Sequence, residues 1–159
     1  RFERLGRPPR REPVDVARVV ERTAEYFRAR VPTRSNAVQI ASACPEDPVV
    51  VQADPVLLEW ALESLVRNAV DALAGRGGRI YLATSRLPDG RVRIRVADDG
   101  PGVPRELRAR VFEAGFTTKT SGWGIGLALT RRIVEEWHGG RLMLVPVERG
   151  ATFDIILQA

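Results

Sequence analysis

The chain has 159 residues, of which 44% are hydrophobic and 28% charged, and this size and composition are typical of one ordinary globular domain. The formal net charge of +5 at pH 7 comes from arginines scattered along the sequence, often beside acidic residues, and this pattern favours a solvated basic surface over a nucleic-acid-binding site. The single cysteine cannot form an internal disulfide, which is consistent with a cytoplasmic protein. No apolar run approaches the about 20 residues needed to span a bilayer, so we expect this piece of a longer protein to make no direct membrane contact, and any membrane anchor to lie elsewhere.

The first 30 residues predict a linker followed by a helix. Residues 1–12 are polar and rich in Pro and Arg, so we interpret them as a linker or as the end of a preceding element, and residues 13–159 as the domain itself. Asp15 is a good N-cap, and apolar residues follow it at helical spacing, which predicts a helix over about residues 16–30.

Two short strands and a second helix should come next. Residues 36–42 and 48–53 contain alternating or consecutive β-branched residues and predict strands. Asp54 and Pro55 are a favourable N-cap and first-turn residue, so a helix is predicted from there to about residue 73, where three glycines follow.

The second half predicts two hairpins with a helix between them. Residues 79–86 and 91–97 form the first hairpin, and residues 141–147 and 151–157 the last. A helix is predicted over residues 124–137, after a polar, glycine-rich stretch. Paired strands interleaved with single helices predict a two-layer α/β sandwich (α+β), with one mixed β-sheet and three main helices on one face.

The second helix carries a polar stripe. Ser64, Asn68 and Asp71 fall on one face of it. An Asn inside an apolar helix is costly unless it faces a site. The alternative, an Asn at the edge of an amphipathic face, is equally compatible with these residues alone.

Asp98 ends a predicted strand and is followed by Gly100 and Gly102. A carboxylate only accepts hydrogen bonds, so Asp98 suits the exocyclic amine of adenine, and the glycines would let the ring lie against the backbone. A surface turn shaped by Pro101 is the alternative, although it does not explain the two glycines.

A second group of glycines precedes the helix predicted over residues 124–137. Gly122, Gly124 and Gly126 lie where the first helical N–H groups are unpaired, and this arrangement suits a polyphosphate. The spacing matches neither a dinucleotide-binding fingerprint nor a P-loop. One His and one Cys also exclude a His/Cys zinc site, so a bound metal should be a hard ion held by oxygens.

Together these motifs resemble one family. In chain order they are similar to the N box (LVRNAVDA, 65–72), the G1 box (DDGPG, 98–102), the F box (VFEAGFTTK, 111–119), the G2 box (GWGIGLAL, 122–129, continuing to HGG, 138–140) and a closing element (GATF, 150–153). The chain thus resembles the catalytic ATP-binding domain of a bacterial two-component sensor histidine kinase, nitrogen-regulator-kinase-like, in the Bergerat-fold (GHKL) superfamily shared with gyrase, Hsp90 and MutL.

The resemblance implies roles for particular residues. Asn68 would be the catalytic residue and metal ligand, holding Mg²⁺, and Asp98 would select the adenine of ATP. Phe112 and Phe116 would anchor an ATP lid in the core. The other nucleotide-binding residues it implies are Gly100, Gly102, Lys119, Gly122, Gly124, Gly126, Leu127 and Thr152.

Three positions depart from the family pattern. Ser64 stands where the ATPase branches carry a water-activating Glu and histidine kinases an Asn, which favours phosphotransfer over hydrolysis. Asp71 stands where many kinases carry Lys, so that phosphate contact is in doubt. Ala151 replaces the Thr of the closing element, and Thr152 is expected to substitute for it.

The resemblance also implies partners. The chain would phosphorylate a His on an adjoining dimerisation domain of the same protein. Residues 1–12 would be a linker or the end of the last helix of that domain. The whole protein would be a homodimer, and a response regulator would act downstream of it. His138, the only histidine, is interpreted as a structural helix-end residue rather than the phosphoacceptor. The alternatives are an anti-sigma-factor-like serine kinase or another ATP-binding module of the same fold and, least favoured, a basic nucleic-acid-binding domain.

Overall fold

The computed structural model describes residues 8–113 and 126–159. The strands are β1 (Glu12–Asp15), β2 (Val38–Ala43), β3 (Val50–Ala53), β4 (Gly78–Arg86), β5 (Val92–Asp98), β6 (Arg141–Val145) and β7 (Ala151–Leu157). The helices are α1 (Val16–Arg28), α2 (Pro55–Ala72) and α3 (Gly126–Arg131), and α3 continues as a π-helical turn over Arg132–Glu136.

Five strands form one mixed sheet in the order β2-β4-β5-β7-β6, in which only the β2–β4 pair is parallel. α1 packs on β2 and β4, and α2 packs on β4 and β5. The core between sheet and helices contains large, fully buried aliphatic side chains from both layers, including Leu57, Leu58, Leu62, Leu65, Ile80, Leu82, Ile94, Ile133 and Ile155. The predicted two-layer sandwich with a mixed sheet and three helices is therefore confirmed.

The prediction of a single sheet was wrong in one respect. β1 pairs antiparallel with β3 in a separate two-stranded sheet, so β3 does not join the main one. β1 begins at Glu12, inside the segment interpreted as a linker, and contains Pro13, which lowers its strand propensity. Only its pairing with β3, in which Val14 lies opposite Val51, makes it a strand.

Both predicted N-caps are present. The Asp15 carboxylate accepts the N–H of Ala17 at 3.1 Å and that of Val49 at 3.1 Å, so it caps α1 and fastens the start of β3 to it. The fully buried Asp54 caps α2 by accepting the N–H groups of Val56 and Leu57 at 3.1 and 3.3 Å. Each cap therefore satisfies helix-end donors that burial would otherwise leave unpaired.

Within residues 8–113 and 126–159, none of the helices has the length and apolar character needed to cross a bilayer. α3 is described from Gly126, so the first two residues of the helix predicted over 124–137 lie outside the described residues.

Leu65→Ala should lower the free energy of unfolding by about 2–5 kcal/mol, because Leu65 is 1% exposed beneath the sheet and its loss leaves a cavity. Val56→Ala on the same helix is the control: Val56 is 46% exposed, and its replacement should change stability by no more than about 0.5 kcal/mol. Urea unfolding of the two variants measures the difference, and equal losses would contradict the assignment of Leu65 to the core.

Candidate functional site

The site is built around a buried carboxylate at the end of β5. Asp98 is 9% exposed, and its Oδ1 accepts the N–H of Gly100 at 2.9 Å. Burial raises the pKa of the Asp98 carboxyl, while the N–H groups of Gly100 and Ala151 act in the opposite direction. The side chain is thus held rigidly as an acceptor whose ionised form would be further stabilised by another donor.

Close backbone packing shapes the turn that follows Asp98. Gly102 has φ +77°, and a Cβ there would lie 2.6 Å from the carbonyl oxygen of Gly150. Gly150 has φ +68°, and a Cβ there would overlap the carbonyl oxygen of Asp98. Neither position can carry a side chain, because the conformation and the space both require glycine.

The same turn packs against α2. A Cβ on Gly100 would lie 3.4 Å from both the Cβ and the carbonyl oxygen of Ala72, and 2.9 Å from Oδ1 of Asp98. Ala72 lies one helical turn after Asn68 and on the same face of α2. The structure therefore brings the predicted adenine-binding turn and the face of the predicted metal ligand to one side of the molecule.

Asn68 is half-buried, and in the described part of the chain its amide makes no hydrogen bond. Its amide oxygen and NH₂ group are therefore available to a ligand. Ser64, one turn earlier, is also half-buried, whereas Asp71 is exposed. Ser64 and Asn68 therefore lie on a half-buried part of this face of α2, and Asp71 lies where the face is exposed.

The donor chemistry at this position fits Mg²⁺. The described residues contain no cluster of three or more His, Cys, Asp or Glu side chains that could hold a metal ion. Mg²⁺ keeps several water and phosphate oxygens when it binds beside a nucleotide, so a single amide oxygen, that of Asn68, is a sufficient protein ligand.

The start of the predicted lid rests on the sheet through an aromatic pair. The Phe112 ring lies edge-on to that of Phe153 on β7, with ring centroids 6.1 Å apart, and the Arg131 guanidinium lies 5.5 Å from the Phe112 centroid. Phe112 therefore contacts the core as expected. Gly126 and Leu127 begin α3, with Gly126 exposed and Leu127 packed against the core. Phe116, Lys119, Gly122 and Gly124 lie outside the described residues.

Thr152 is the one predicted site residue that the register separates from the others. Asp98 pairs with Ala151, whereas Thr152 pairs with Ala97. Since neighbouring residues in a strand point to opposite faces, Thr152 lies on the sheet face away from Asp98. The expectation that Thr152 substitutes for the missing Thr was wrong, because Ala151 occupies the position beside Asp98.

His138 bonds a helix-end carbonyl, as the sequence predicts, and also contacts Asp54, which the sequence does not predict. Its Nε2 accepts the N–H of Asp54 at 3.0 Å, and its Nδ1–H donates to the carbonyl of Ile133 at 2.8 Å. The ring is 8% exposed, and its burial lowers the pKa of His138, against the opposing effect of the bond to Ile133. His138 thus joins the N-terminus of α2 to the end of the π-helical turn.

Comparison with known proteins agrees with this geometry. Residues 53–159 match the family model described as histidine kinase-, DNA gyrase B-, and HSP90-like ATPase. The sensor histidine kinase ZraS of Klebsiella oxytoca is 45% identical over 92 residues, which cover 58% of this chain and 20% of that protein. The sensor protein FixL of Bradyrhizobium diazoefficiens is 34% identical over 128 residues, covering 79% of this chain and 25% of that protein. The chain therefore spans a quarter or less of either relative.

Solved structures agree as well. The nucleotide-free catalytic domain of the histidine kinase ThkA superposes with a TM-score of 0.82 at 28% identity, covering 94% of this chain and 95% of that one. Full-length ShkA in complex with AMPPNP gives a TM-score of 0.80 at 33% identity, covering 98% of this chain and 33% of that one. ThkA in complex with the response regulator protein TrrA gives 0.77 at 26% identity, covering 92% and 41%.

The buried His138 predicts a pH-dependent stability. Its pKa is lower in the folded than in the unfolded state, so the unfolded state takes up the proton first as the pH falls through the ordinary value of 6.5. The free energy of unfolding should therefore decrease between pH 7 and pH 5.5. Thermal unfolding across this range measures the effect.

His138→Asn is the matched comparison, since the chain has no other histidine. This variant should be less stable at pH 7 by about 1–3 kcal/mol, because buried donor and acceptor partners lose a bond. Its stability should change less than that of the wild type between pH 7 and pH 5.5. Parallel pH profiles would show that His138 is not buried in its neutral form.

Proposed function

The chain belongs to the histidine kinase-, DNA gyrase B-, and HSP90-like ATPase family, and from this premise we propose that it binds Mg-ATP and donates the γ-phosphoryl group to a histidine of an adjoining dimerisation domain. The observation that carries the proposal is the convergence of three elements at one place. The buried carboxylate of Asp98, the turn through Gly100 and the face of α2 that holds Asn68 meet at Ala72.

Asp98 would read the base. Its carboxylate is fixed by the N–H of Gly100 and keeps further acceptor capacity, which suits the exocyclic amine of adenine and not the carbonyl that guanine has at the same position. Gly100 and Gly102 are proposed to line the base, and the absence of side chains lets this turn pack closely on Ala72 and Gly150, which holds it beside the carboxylate.

Asn68 would hold Mg²⁺ through its amide oxygen, and the bound ion would neutralise charge on the phosphates during transfer. The position one turn earlier, Ser64, carries a hydroxyl that is a poor general base at neutral pH. This supports transfer to a protein side chain over attack by an activated water. Lys119, Gly122, Gly124, Gly126 and Leu127 are proposed to cover the phosphates.

We propose that the acceptor histidine lies in a dimerisation domain preceding residue 13, with residues 1–12 as its end or its linker, and that the whole protein is a homodimer. The complex of the related ThkA with a response regulator supports such a regulator as the downstream partner. Use of ATP and of this partner would place the domain in the cytoplasm.

Asn68→Ala should weaken Mg-ATP binding by about 10–100-fold in titration calorimetry, because the only proposed protein ligand of the metal is removed. Arg67→Ala is the control, since Arg67 is the exposed neighbour on α2. Both variants should keep the circular dichroism spectrum of the wild type. Unchanged Mg-ATP affinity in Asn68→Ala would overturn the assignment of the metal ligand.

Asp98→Asn should raise the Kd for ATP by about 10–100-fold, the value of a hydrogen bond to a charged acceptor, and change the weak affinity for GTP much less. The adjacent Asp99→Asn is the matched control, because Asp99 is exposed and accepts the N–H of Arg79 instead. Competition of both nucleotides against a fluorescent ATP analogue measures the ratio. An equal loss for ATP and GTP would contradict base recognition by Asp98.

A further inference from the structure

The segment that leads into the domain is fastened to both helices that flank the proposed nucleotide site. The backbone N–H of Arg10 donates to Oδ2 of Asp54 at 2.8 Å, at the N-terminus of α2. The guanidinium of Arg11 donates to the carbonyl of Trp137 at 2.7 Å, just after the π-helical turn that extends α3. The next residue, Glu12, begins β1, which pairs with β3.

His138 connects these two attachment points to each other. It accepts the N–H of Asp54 and donates to the carbonyl of Ile133, so it joins α2 and the end of the α3 extension directly. Asp54 and His138 are both buried. Because buried, fully satisfied polar groups resist separation, the incoming segment, α2 and the α3 extension are held as one unit at this end of the domain.

The π-helical turn makes this connection possible. In a regular α-helix the N–H of Trp137 would take the carbonyl of Ile133. Here it takes the carbonyl of Arg132, one residue earlier, at 3.1 Å. The carbonyl of Ile133 is thereby left to His138. Single π-helical turns inside α-helices are common at functional sites, where they free a carbonyl for a partner of this kind.

We infer that Arg10 and Arg11 are positioning residues for nucleotide binding: through the Asp54–His138 pair they set the position of α2, which carries Asn68, and of α3. α3 begins with Gly126 and Leu127, two of the residues proposed to cover the phosphates. A displacement of the incoming segment is passed to both helices, because helices move as stiff bodies. The inference rests on the proposed function and adds that the preceding part of the protein controls nucleotide affinity through these contacts.

The chemistry of the two contacts gives a matched pair of variants for each. Arg10 contributes only its backbone N–H, so Arg10→Pro removes the donor, whereas Arg10→Ala keeps it. Arg11 contributes its side chain, so Arg11→Ala removes the donor, whereas Arg11→Lys keeps a cationic N–H at that place. Arg22→Ala, at an exposed position on α1, controls for the loss of one positive charge.

Mg-ATP affinity and hydrogen exchange are measured for the wild type and all five variants. Arg10→Pro and Arg11→Ala should raise the Kd by about 3–10-fold and speed exchange in α3 and the first turn of α2, with β4 and β5 unchanged. Arg10→Ala, Arg11→Lys and Arg22→Ala should stay within about 2-fold of the wild type.

The outcomes separate the two proposals. If the wild type binds Mg-ATP and Arg11→Ala binds it equally well, the positioning role is overturned and the proposed function stands. Faster exchange throughout the sheet with unchanged affinity in the folded fraction also overturns it, since the contacts are then only structural. If Arg10→Pro does not fold, the Arg11→Ala and Arg11→Lys pair decides. Absence of Mg-ATP binding by the wild type refutes the proposed function itself.

Discussion

The contact between two glycine backbones at the end of β5 is the constraint on which the site depends. Gly102 and Gly150 both have positive φ, and each lies so close to the other segment that no Cβ fits between them. β7 begins directly after Gly150, so this contact fixes the start of β7 beside Asp98. On its other side, the turn after Asp98 packs closely against Ala72 of α2 through Gly100. A residue with a side chain at either glycine would push the turn after β5 and the start of β7 apart.

The sheet buries two carboxylates on opposite faces, and their surroundings differ. Asp154 is 5% exposed and receives two bonds of 2.8 Å from the guanidinium of Arg95, which makes it a satisfied structural ion pair. Asp98 is bonded by backbone N–H groups, and burial raises its pKa. The remaining acceptor capacity of Asp98 is available to a ligand that donates a hydrogen bond, and such a donor would stabilise the ionised carboxylate. The half-buried amide of Asn68 on α2 is likewise available to a ligand.

Local sequence signals predicted those helices and strands whose ends are set by nearby residues, such as N-caps and hairpin turns. The caps at Asp15 and Asp54 satisfy the helix ends as expected, and both hairpins have the predicted partners. β1 was missed because its four residues contain Pro13 and become a strand only by pairing with β3. Thr152 was misplaced because motif spacing does not state which face of a strand a residue occupies, and only the pairing of Ala151 with Asp98 does.

Residue type and spacing along the chain were enough to predict the chemistry of the site: a carboxylate at the end of a strand, glycines after it and an Asn within a helix. Only the folded chain shows that the turn after Asp98 meets α2 one helical turn from Asn68, and that His138 joins Asp54 to Ile133. These contacts link residues distant along the chain, and they depend on strand register and on a one-residue shift in helical hydrogen bonding. Packing of the whole chain sets both features, and no local pattern encodes either of them.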